Sequence, residues 1–198
     1  MHSVFERLLL NQEHLTPEEI EELSLLDVGE QRARSIIDQG VQAARQTLAN
    51  YSLTEFITEV RVNPGLRIGR DDYWGTADVV GADAKRRILM VGDLKTGRGR
   101  VDVRHNTQLL SYGLGSLELL DFVPDRVVFA IFQPPLWGSK PALWETNLHV
   151  LKEFETLVSM RAHETDRHNV EPAPNSDACQ WCPAKSVCPA WTSVKAAR

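Results

Sequence analysis

The chain has 198 residues, 42% of them hydrophobic. This length and composition are sufficient for one domain with a hydrophobic core and an appendage. Its formal net charge of −5 excludes a general polyanion binder, so any nucleic-acid contact must come from a local basic patch. No apolar run approaches the roughly 18 residues of a membrane span, and the amino terminus lacks signal-peptide order, so we expect a cytoplasmic protein without membrane association.

Residues 1 to 50 have the charged composition and apolar spacing of helices. Thr16-Pro-Glu-Glu19 supplies a cap, a first-turn proline and acidic residues, a pattern typical of a helix amino terminus. Val28 to Leu48 carries apolar residues at helical spacing before Asn50 ends it. We therefore predict two helices, the second packing on a sheet.

The next stretch predicts three strands. Leu53 to Val62 alternates in the manner of a strand. Gly75 to Val80 and Ile88 to Thr96 are further short runs, and the turn-like segment Gly81 to Lys85 would fold them back as an antiparallel hairpin.

This hairpin would set two carboxylates and a lysine side by side. Asp93 and Lys95 are two residues apart and share a strand face, and Asp78 lies on the neighbouring run. Carboxylate oxygens are ligands for Mg²⁺ or Mn²⁺, and a lysine beside them can activate water or neutralise a phosphate. The alternative is a strand-end turn residue and an exposed ion pair of little energetic weight.

A glycine-rich basic loop, Gly97 to Arg104, follows the lysine directly. Because phosphate contacts supply most non-specific nucleic-acid affinity, an acidic nucleic-acid enzyme must concentrate cations near its chemistry. We expect Arg98, Arg100 and Arg104, with His105 beside them, to contact phosphates. A solvated loop is the alternative.

The rest of the chain completes the fold prediction. Asn106 to Leu120 reads as a helix, Val127 to Gln133 and Pro141 to Thr146 as strands, and Asn147 to His163 as a capped helix before a polar linker at 164–178. This order predicts an α/β fold of mixed α+β type, with a central mixed sheet flanked by helices.

We divide the chain into amino-terminal helices at 1–50, a core at 51–165 and a cysteine-bearing tail at 166–198. All three cysteines lie in that tail at metal-ligand spacing, as Cys179, Cys182 and Cys188. An odd number at this spacing does not resemble a secreted disulfide framework.

Four motifs in order resemble the PD-(D/E)XK nucleases of the RecB-like branch, and among them phage and prophage proteins. They are Glu59, Gly75-Thr-Ala-Asp78, Asp93-Leu-Lys95 and Gln108-Leu-Leu-Ser-Tyr112. The resemblance covers residues 55 to 190. It implies a restriction-endonuclease-like core and a metal-dependent DNA nuclease, with an exonuclease favoured, acting in phage recombination, replication or repair in the host cytoplasm.

The resemblance also implies roles for individual residues. Asp78 and Asp93 correspond to metal ligands, and Lys95 corresponds to the catalytic lysine. Glu59 stands where the family often has an acidic residue on the first strand, although a structural salt bridge with Arg61 is an open alternative.

The Q-x-x-x-Y pair, Gln108 and Tyr112, is associated in the family with DNA contact and positioning beside the catalytic residues. Tyr112 as a core aromatic is the alternative. The implied partners are DNA and a phage recombination or replication protein, and an oligomer is compatible with the sequence.

The chain departs from the family at its amino end. RecB-like nucleases usually carry a histidine on an upstream helix as a further metal ligand, yet Gln31 to Asn50 contains none. His2 and His14 stand outside any matching context. The absence weighs against two-metal chemistry and leaves one-metal chemistry through Asp78 and Asp93 open.

The tail resembles the three-cysteine part of an iron–sulfur site that several RecB-like nucleases complete with an upstream cysteine. No fourth cysteine is present. A cluster would need a substitute such as His163 or His168, and the same set would satisfy zinc. We expect either a zinc site completed by a histidine or no metal, and we regard an iron–sulfur cluster as less favoured. The alternative without a metal is a vestigial tail whose cysteines are reduced.

Two rival functions remain. A catalytically impaired nucleic-acid-binding or adapter protein on a nuclease fold would explain the missing histidine and the incomplete cysteine set, but not the intact trio Asp78, Asp93 and Lys95. A metal-stapled interaction module would leave Gln108 and Tyr112 without a role.

Overall fold

The computed structural model of the chain describes residues 1–10, 16–24, 29–167, 169–175, 179–180 and 182–196. They belong to two compact units, Met1–Val158 and Ser159–Arg198. Within the described ranges, no helix combines the length and the apolar character that crossing a membrane requires.

A mixed sheet of five strands, in the order β1-β2-β3-β4-β5, forms the middle of the first unit. The strands are β1 (Glu55–Val62), β2 (Gly75–Asp83), β3 (Ile88–Leu94), β4 (Arg126–Phe132) and β5 (Ala142–Thr146). Only β3 and β4 pair in parallel; the other neighbours are antiparallel. A parallel pair needs a crossover connection, and the segment between β3 and β4 contains α4 (Thr107–Ser116).

Helices cover both faces of this sheet and confirm the predicted fold class. Buried residues of α1 (His2–Leu9) and α3 (Glu30–Asn50) share one hydrophobic core with one face. Residues of α4 and of the first half of α6 (Leu148–Thr165) share the second core with the other. Side chains alternate across β4 accordingly, with Val128 and Phe132 in the first core and Phe129 in the second.

The described residues of the amino-terminal segment contain three helices, where we predicted two. α1 precedes α2 (Pro17–Ser24), and its Val4, Phe5 and Leu9 are buried. The predicted cap of α2 is present, because Thr16 Oγ1 accepts a hydrogen bond from the Glu19 backbone N–H and Glu19 Oε2 accepts one from the Thr16 N–H. α3 begins at Glu30, and Val28 lies outside the described residues.

The central hairpin forms as predicted, but its turn comes later. Gly81 to Asp83 extend β2 and pair with Ile88 to Met90, so the turn occupies residues 84–87. Asp83 stabilises it by accepting hydrogen bonds from the backbone and side chain of Arg86, each at 2.8 Å. Asp78 is therefore the fourth residue of β2 and not its end.

The later elements follow the predicted order. The Asn106 side chain accepts from the Leu109 N–H at the start of α4, and the Asn147 side chain accepts from the His149 N–H at the start of α6. Two short 3₁₀ helices, Pro64–Ile68 and Leu117–Leu119, and the single-turn α5 (Pro134–Trp137) complete the first unit.

The second unit contains the end of α6 and α7 (Pro189–Ala196). Its described residues between 166 and 175 form neither helix nor strand, as the polar composition predicted. The Lys185 ammonium lies 5.1 Å from the centre of the Trp191 ring. Trp181 lies outside the described residues.

Candidate functional site

A polar cavity of about 450 Å³ opens where β2, β3 and the start of α4 meet. It brings together every catalytic residue that the sequence predicted, and it adds one that the sequence analysis set aside. Its lining consists of His2, Glu59, Thr76, Asp78, Asp93, Leu94, Lys95, Thr96, Gly97, Gln108 and Tyr112.

Strand register places the two aspartates at this cavity. The β2–β3 ladder runs from Asp83↔Ile88 to Val79↔Gly92, and Asp78 and Asp93 are the next residues beyond its last pair. Asp78 Oδ2 accepts a 2.6 Å hydrogen bond from the Leu94 N–H, so the strand end itself orients this carboxylate. Both aspartates are buried.

His2, Glu59 and Asp78 form one group of potential metal ligands. One ligand atom from each lies within 4.8 Å of the others. His2 Nδ1 lies 3.0 Å from Asp78 Oδ1, a contact between residues 76 apart in the sequence, and this hydrogen bond raises the pKa of His2. The sequence analysis set His2 aside because it stood outside any matching context; α1 packs on the sheet and brings it beside Asp78.

Glu59 has an unfavourable backbone conformation and an unpaired side-chain oxygen. Its φ of 46° lies in the left-handed region, which a non-glycine residue rarely adopts, and it interrupts the β1–β2 ladder opposite Asp78. Its buried Oε1 has no hydrogen-bond partner, and burial together with the charge of Asp78 raises its pKa. An orphaned carboxylate oxygen facing other ligand atoms is what a bound cation would satisfy.

Glu59 does not form the structural salt bridge that we considered. The guanidinium of Arg61 instead lies over the ring of Trp74, at 4.2 Å from its centre.

Asp93, Lys95, Gln108 and Tyr112 form a connected polar chain beside that group. Lys95 Nζ lies 2.8 Å from Asp93 Oδ2, an ion pair without hydrogen-bond geometry, and donates to Gln108 Oε1 at 2.7 Å. Gln108 Nε2 donates to Asp93 Oδ1 at 3.0 Å and to the Tyr112 hydroxyl at 2.8 Å. Gln108 and Tyr112 are four residues apart on α4 and so share one helix face.

Burial is the largest influence on the pKa values of Asp93 and Tyr112. It raises the pKa of Asp93 to about 6, assisted by the nearby Asp78 charge and opposed by Lys95. Burial likewise raises the pKa of Tyr112, so its hydroxyl remains a protonated hydrogen-bond donor at neutral pH. A carboxyl group with a raised pKa, a lysine and a phenol thus lie within one cavity.

Gln133 connects the basic loop to the sheet, a role that the sequence analysis missed. Its side chain is only 1% exposed and donates to the Gly97 and Gly99 carbonyls at 2.8 and 2.7 Å. Its Oε1 accepts from the Val101 N–H at 3.1 Å. The three predicted phosphate-contacting residues on this segment, Arg98, Arg100 and Arg104, are exposed.

The cysteines of the second unit do not form a comparable group. Among the described residues, only His2, Glu59 and Asp78 bring three potential ligand atoms together, so the sulfur atoms of Cys179, Cys182 and Cys188 are not gathered with one another or with His163. The cysteines are free, and His163 is exposed on α6. His14 and His168 lie outside the described residues.

The sequence does hold a signal for His2. His2, Phe5 and Leu9 follow the spacing of one helix face, and the latter two are fully buried or nearly so. A histidine in line with core residues at the start of a helix is a candidate for the sheet side of that helix.

The residues present fit a divalent cation. Two carboxylates and an imidazole form a mixed oxygen and nitrogen donor set, with Asp93 adjoining, and Glu59 Oε1 lacks another partner. The carboxylates suit Mg²⁺ or Mn²⁺, and the imidazole, a typical transition-metal ligand, favours Mn²⁺ of the two.

The chain belongs to the family described as "Protein of unknown function (DUF2800)", whose model matches residues 4–197. It is also similar to a solved structure named "Crystal structure of SSO0001", at 16% sequence identity over 95% of this chain and 96% of that chain. The TM-score of that match is 0.38, so it carries no argument about fold or function.

Proposed function

We propose that this protein is a metal-dependent nuclease that hydrolyses phosphodiester bonds in DNA. The observation that carries the proposal is the juxtaposition of the His2, Glu59 and Asp78 ligand group with the Asp93, Lys95 and Gln108 chain in one cavity.

Each residue has a role in this proposal. His2, Glu59 and Asp78 would hold Mg²⁺ or Mn²⁺, which when bound polarises a phosphoryl oxygen and lowers the pKa of water. Lys95 supplies a fixed positive charge for the phosphate, and Asp93 holds its ammonium. Gln108 and Tyr112 orient that pair and present amide and hydroxyl groups to the substrate.

The sequence resemblance to RecB-like PD-(D/E)XK nucleases of phages supports the same function. It favours an exonuclease that acts in recombination, replication or repair, with DNA as substrate and a phage recombination or replication protein as partner. The rival interpretation as an impaired nucleic-acid-binding protein drew partly on a missing histidine, and the position of His2 beside Asp78 removes that argument.

The test is a degradation assay on linear, circular and single-stranded DNA with Mg²⁺ or Mn²⁺ and with chelator. Lys95→Ala removes a charge worth on the order of 3 kcal/mol in the transition state, so its rate should fall at least about 100-fold. Lys85→Ala, which removes an exposed lysine from the β2–β3 turn, is the matched control and should cleave at the unchanged rate.

A His2→Ala variant examines the metal group separately. It should need a higher Mg²⁺ or Mn²⁺ concentration for half-maximal cleavage, because one ligand is lost. Full activity of purified Lys95→Ala, or cleavage that survives chelation, would refute the proposed function.

A further inference from the structure

Trp74 presents an exposed aromatic ring two residues before Thr76, which lines the candidate site. It is 53% exposed, and the Arg61 guanidinium lies over the ring at 4.2 Å from its centre. A cation over the face of an indole is a favourable contact that also fixes the orientation of the ring. The ring is thus held in place while much of its surface faces solvent.

The backbone connects this ring to the cavity within two residues. Trp74 is followed by Gly75, where an added Cβ would lie 2.6 Å from Tyr112 Cε1, and then by Thr76, which lines the cavity. Thr76 is also the partner of Arg61 in the β1–β2 ladder. Because successive Cα atoms are about 3.8 Å apart, the Trp74 Cα lies within about 8 Å of the Thr76 Cα.

Charged residues lie near Trp74 in the sequence. Asp71 and Asp72 precede it and are exposed, and Arg70 pairs with Asp72 at 2.8 Å. A protein interface would place further apolar side chains around such a ring. An exposed aromatic plane with an arginine on it suits a flat ligand attached to an anionic backbone.

We propose that Trp74 and Arg61 form a stacking site for an unpaired nucleobase of the strand whose phosphodiester enters the cavity. This site rests on the proposed function and specifies its substrate class: nucleic acid with at least one unstacked base near the scissile bond. Trp74 stacks the base, and Arg61 holds the indole and offers its charge to the adjoining phosphate.

The experiment measures binding of a fluorescein-labelled single-stranded oligonucleotide by anisotropy in chelator, so that no cleavage occurs. The variants are Trp74→Ala, Trp74→Leu and Trp74→Phe, with Val123→Ala as a control that trims another exposed apolar side chain. Each protein is also measured against an abasic strand of equal length, which keeps the phosphates and lacks the bases. Unchanged circular dichroism serves as the check on folding.

We expect Trp74→Ala and Trp74→Leu to bind the intact strand roughly 5- to 150-fold more weakly, the range for one base–aromatic stack. Trp74→Phe should retain most of the affinity, Val123→Ala should match the wild type, and all variants should bind the abasic strand equally.

Unchanged affinity of Trp74→Ala for the intact strand would overturn the stacking site, and so would an equal loss on both strands. If these losses are absent while the wild-type protein binds and cleaves DNA, only the stacking site fails. A wild-type protein that binds neither strand and cleaves nothing overturns the nuclease assignment and the stacking site with it.

Discussion

At the scale of single residues, the candidate site buries carboxyl groups although burial makes their charged form less stable. Asp93 is 2% exposed, and burial raises its pKa to about 6. A carboxyl group that binds its proton more tightly in the folded chain makes folding less favourable once that proton is lost. Such an arrangement suits a site selected for chemistry more than for stability.

Asp93 therefore predicts a pH dependence of stability. Its folded pKa of about 6 exceeds the ordinary value of 3.8, so the folded state binds the extra proton between these values. Its contribution to the free energy of unfolding should fall as pH rises from about 4 to 6, by up to about 3 kcal/mol, and stay constant above. Urea denaturation of metal-free protein across pH 4 to 8 should show this fall relative to Asp93→Asn.

The comparison with Asp93→Asn is needed because other groups titrate in the opposite sense. The pKa values of Glu19 and Glu145 lie below their ordinary value, since Arg7 bonds the first and Tyr51 and Arg126 bond the second. Their contributions grow with pH and are common to both proteins. Parallel pH profiles for the two proteins would contradict a raised Asp93 pKa.

At the scale of elements, the end of β4 controls the basic loop that follows β3. The Lys95 N–H donates to the Phe132 carbonyl at 2.7 Å, and the next residue, Gln133, binds three backbone groups of residues 97–101. The parallel pairing of β3 and β4 makes this possible, because both strands end at the same edge of the sheet. Hydrogen bonds therefore fix the backbone of this loop, although the loop belongs to no helix or strand.

Gln133→Met should weaken DNA binding without removing a charge. Methionine fills a similar volume but cannot bond the loop, so Arg98, Arg100 and Arg104 lose their fixed positions. Binding measured against salt concentration should show a flatter slope, by roughly 0.7 to 0.9 log units for each lost phosphate contact. Gln42→Met, which alters an exposed glutamine of α3, is the matched control.

Replacing Arg98, Arg100 and Arg104 together with alanine tests whether the loop accounts for the weaker binding of Gln133→Met. In that background Gln133→Met should add little further loss, because both changes act on the same contacts. An unchanged salt slope in the triple arginine variant would show that the loop is a solvated surface that does not contact phosphates. If the losses from Gln133→Met and from the triple arginine variant were additive, Gln133→Met would weaken binding through some other part of the protein.

At the scale of the whole molecule, the chemistry and the cysteines lie in different units. Every residue of the candidate site lies in Met1–Val158, whereas Cys179, Cys182 and Cys188 lie in Ser159–Arg198. Three thiolates do not close a tetrahedral metal site, and among the described residues no group of three close ligand atoms includes a cysteine.

We accordingly predict that Cys182→Ser retains DNA cleavage at near the wild-type rate even if its thermal stability falls. Elemental analysis of anaerobically purified protein should show zinc bound with a histidine, or no metal at the tail. Stoichiometric iron and sulfide with broad absorption near about 400 nm would contradict this expectation. Loss of cleavage in well-folded Cys182→Ser would show that the two units cooperate in catalysis.

The sequence by itself determined the local elements and part of the site. Period-two alternation marked β1, the apolar runs marked β3 and β4, and side-chain caps marked the starts of α2 and α6. These features depend on neighbours a few residues apart, which a linear pattern records directly. Asp78, Asp93 and Lys95 were found from their positions on neighbouring strands, whereas Gln108 and Tyr112 were singled out by the resemblance to the nuclease family.

Only the tertiary structure decided what completes the site. His2 meets Asp78 across 76 residues because α1 buries Phe5 and Leu9 against the sheet. Gln133 reaches the loop because β4 lies parallel to β3, and Glu59 loses its regular strand geometry opposite Asp78. Contacts of this kind depend on which faces pack together and in which strand register, and residue spacing along the chain does not encode these.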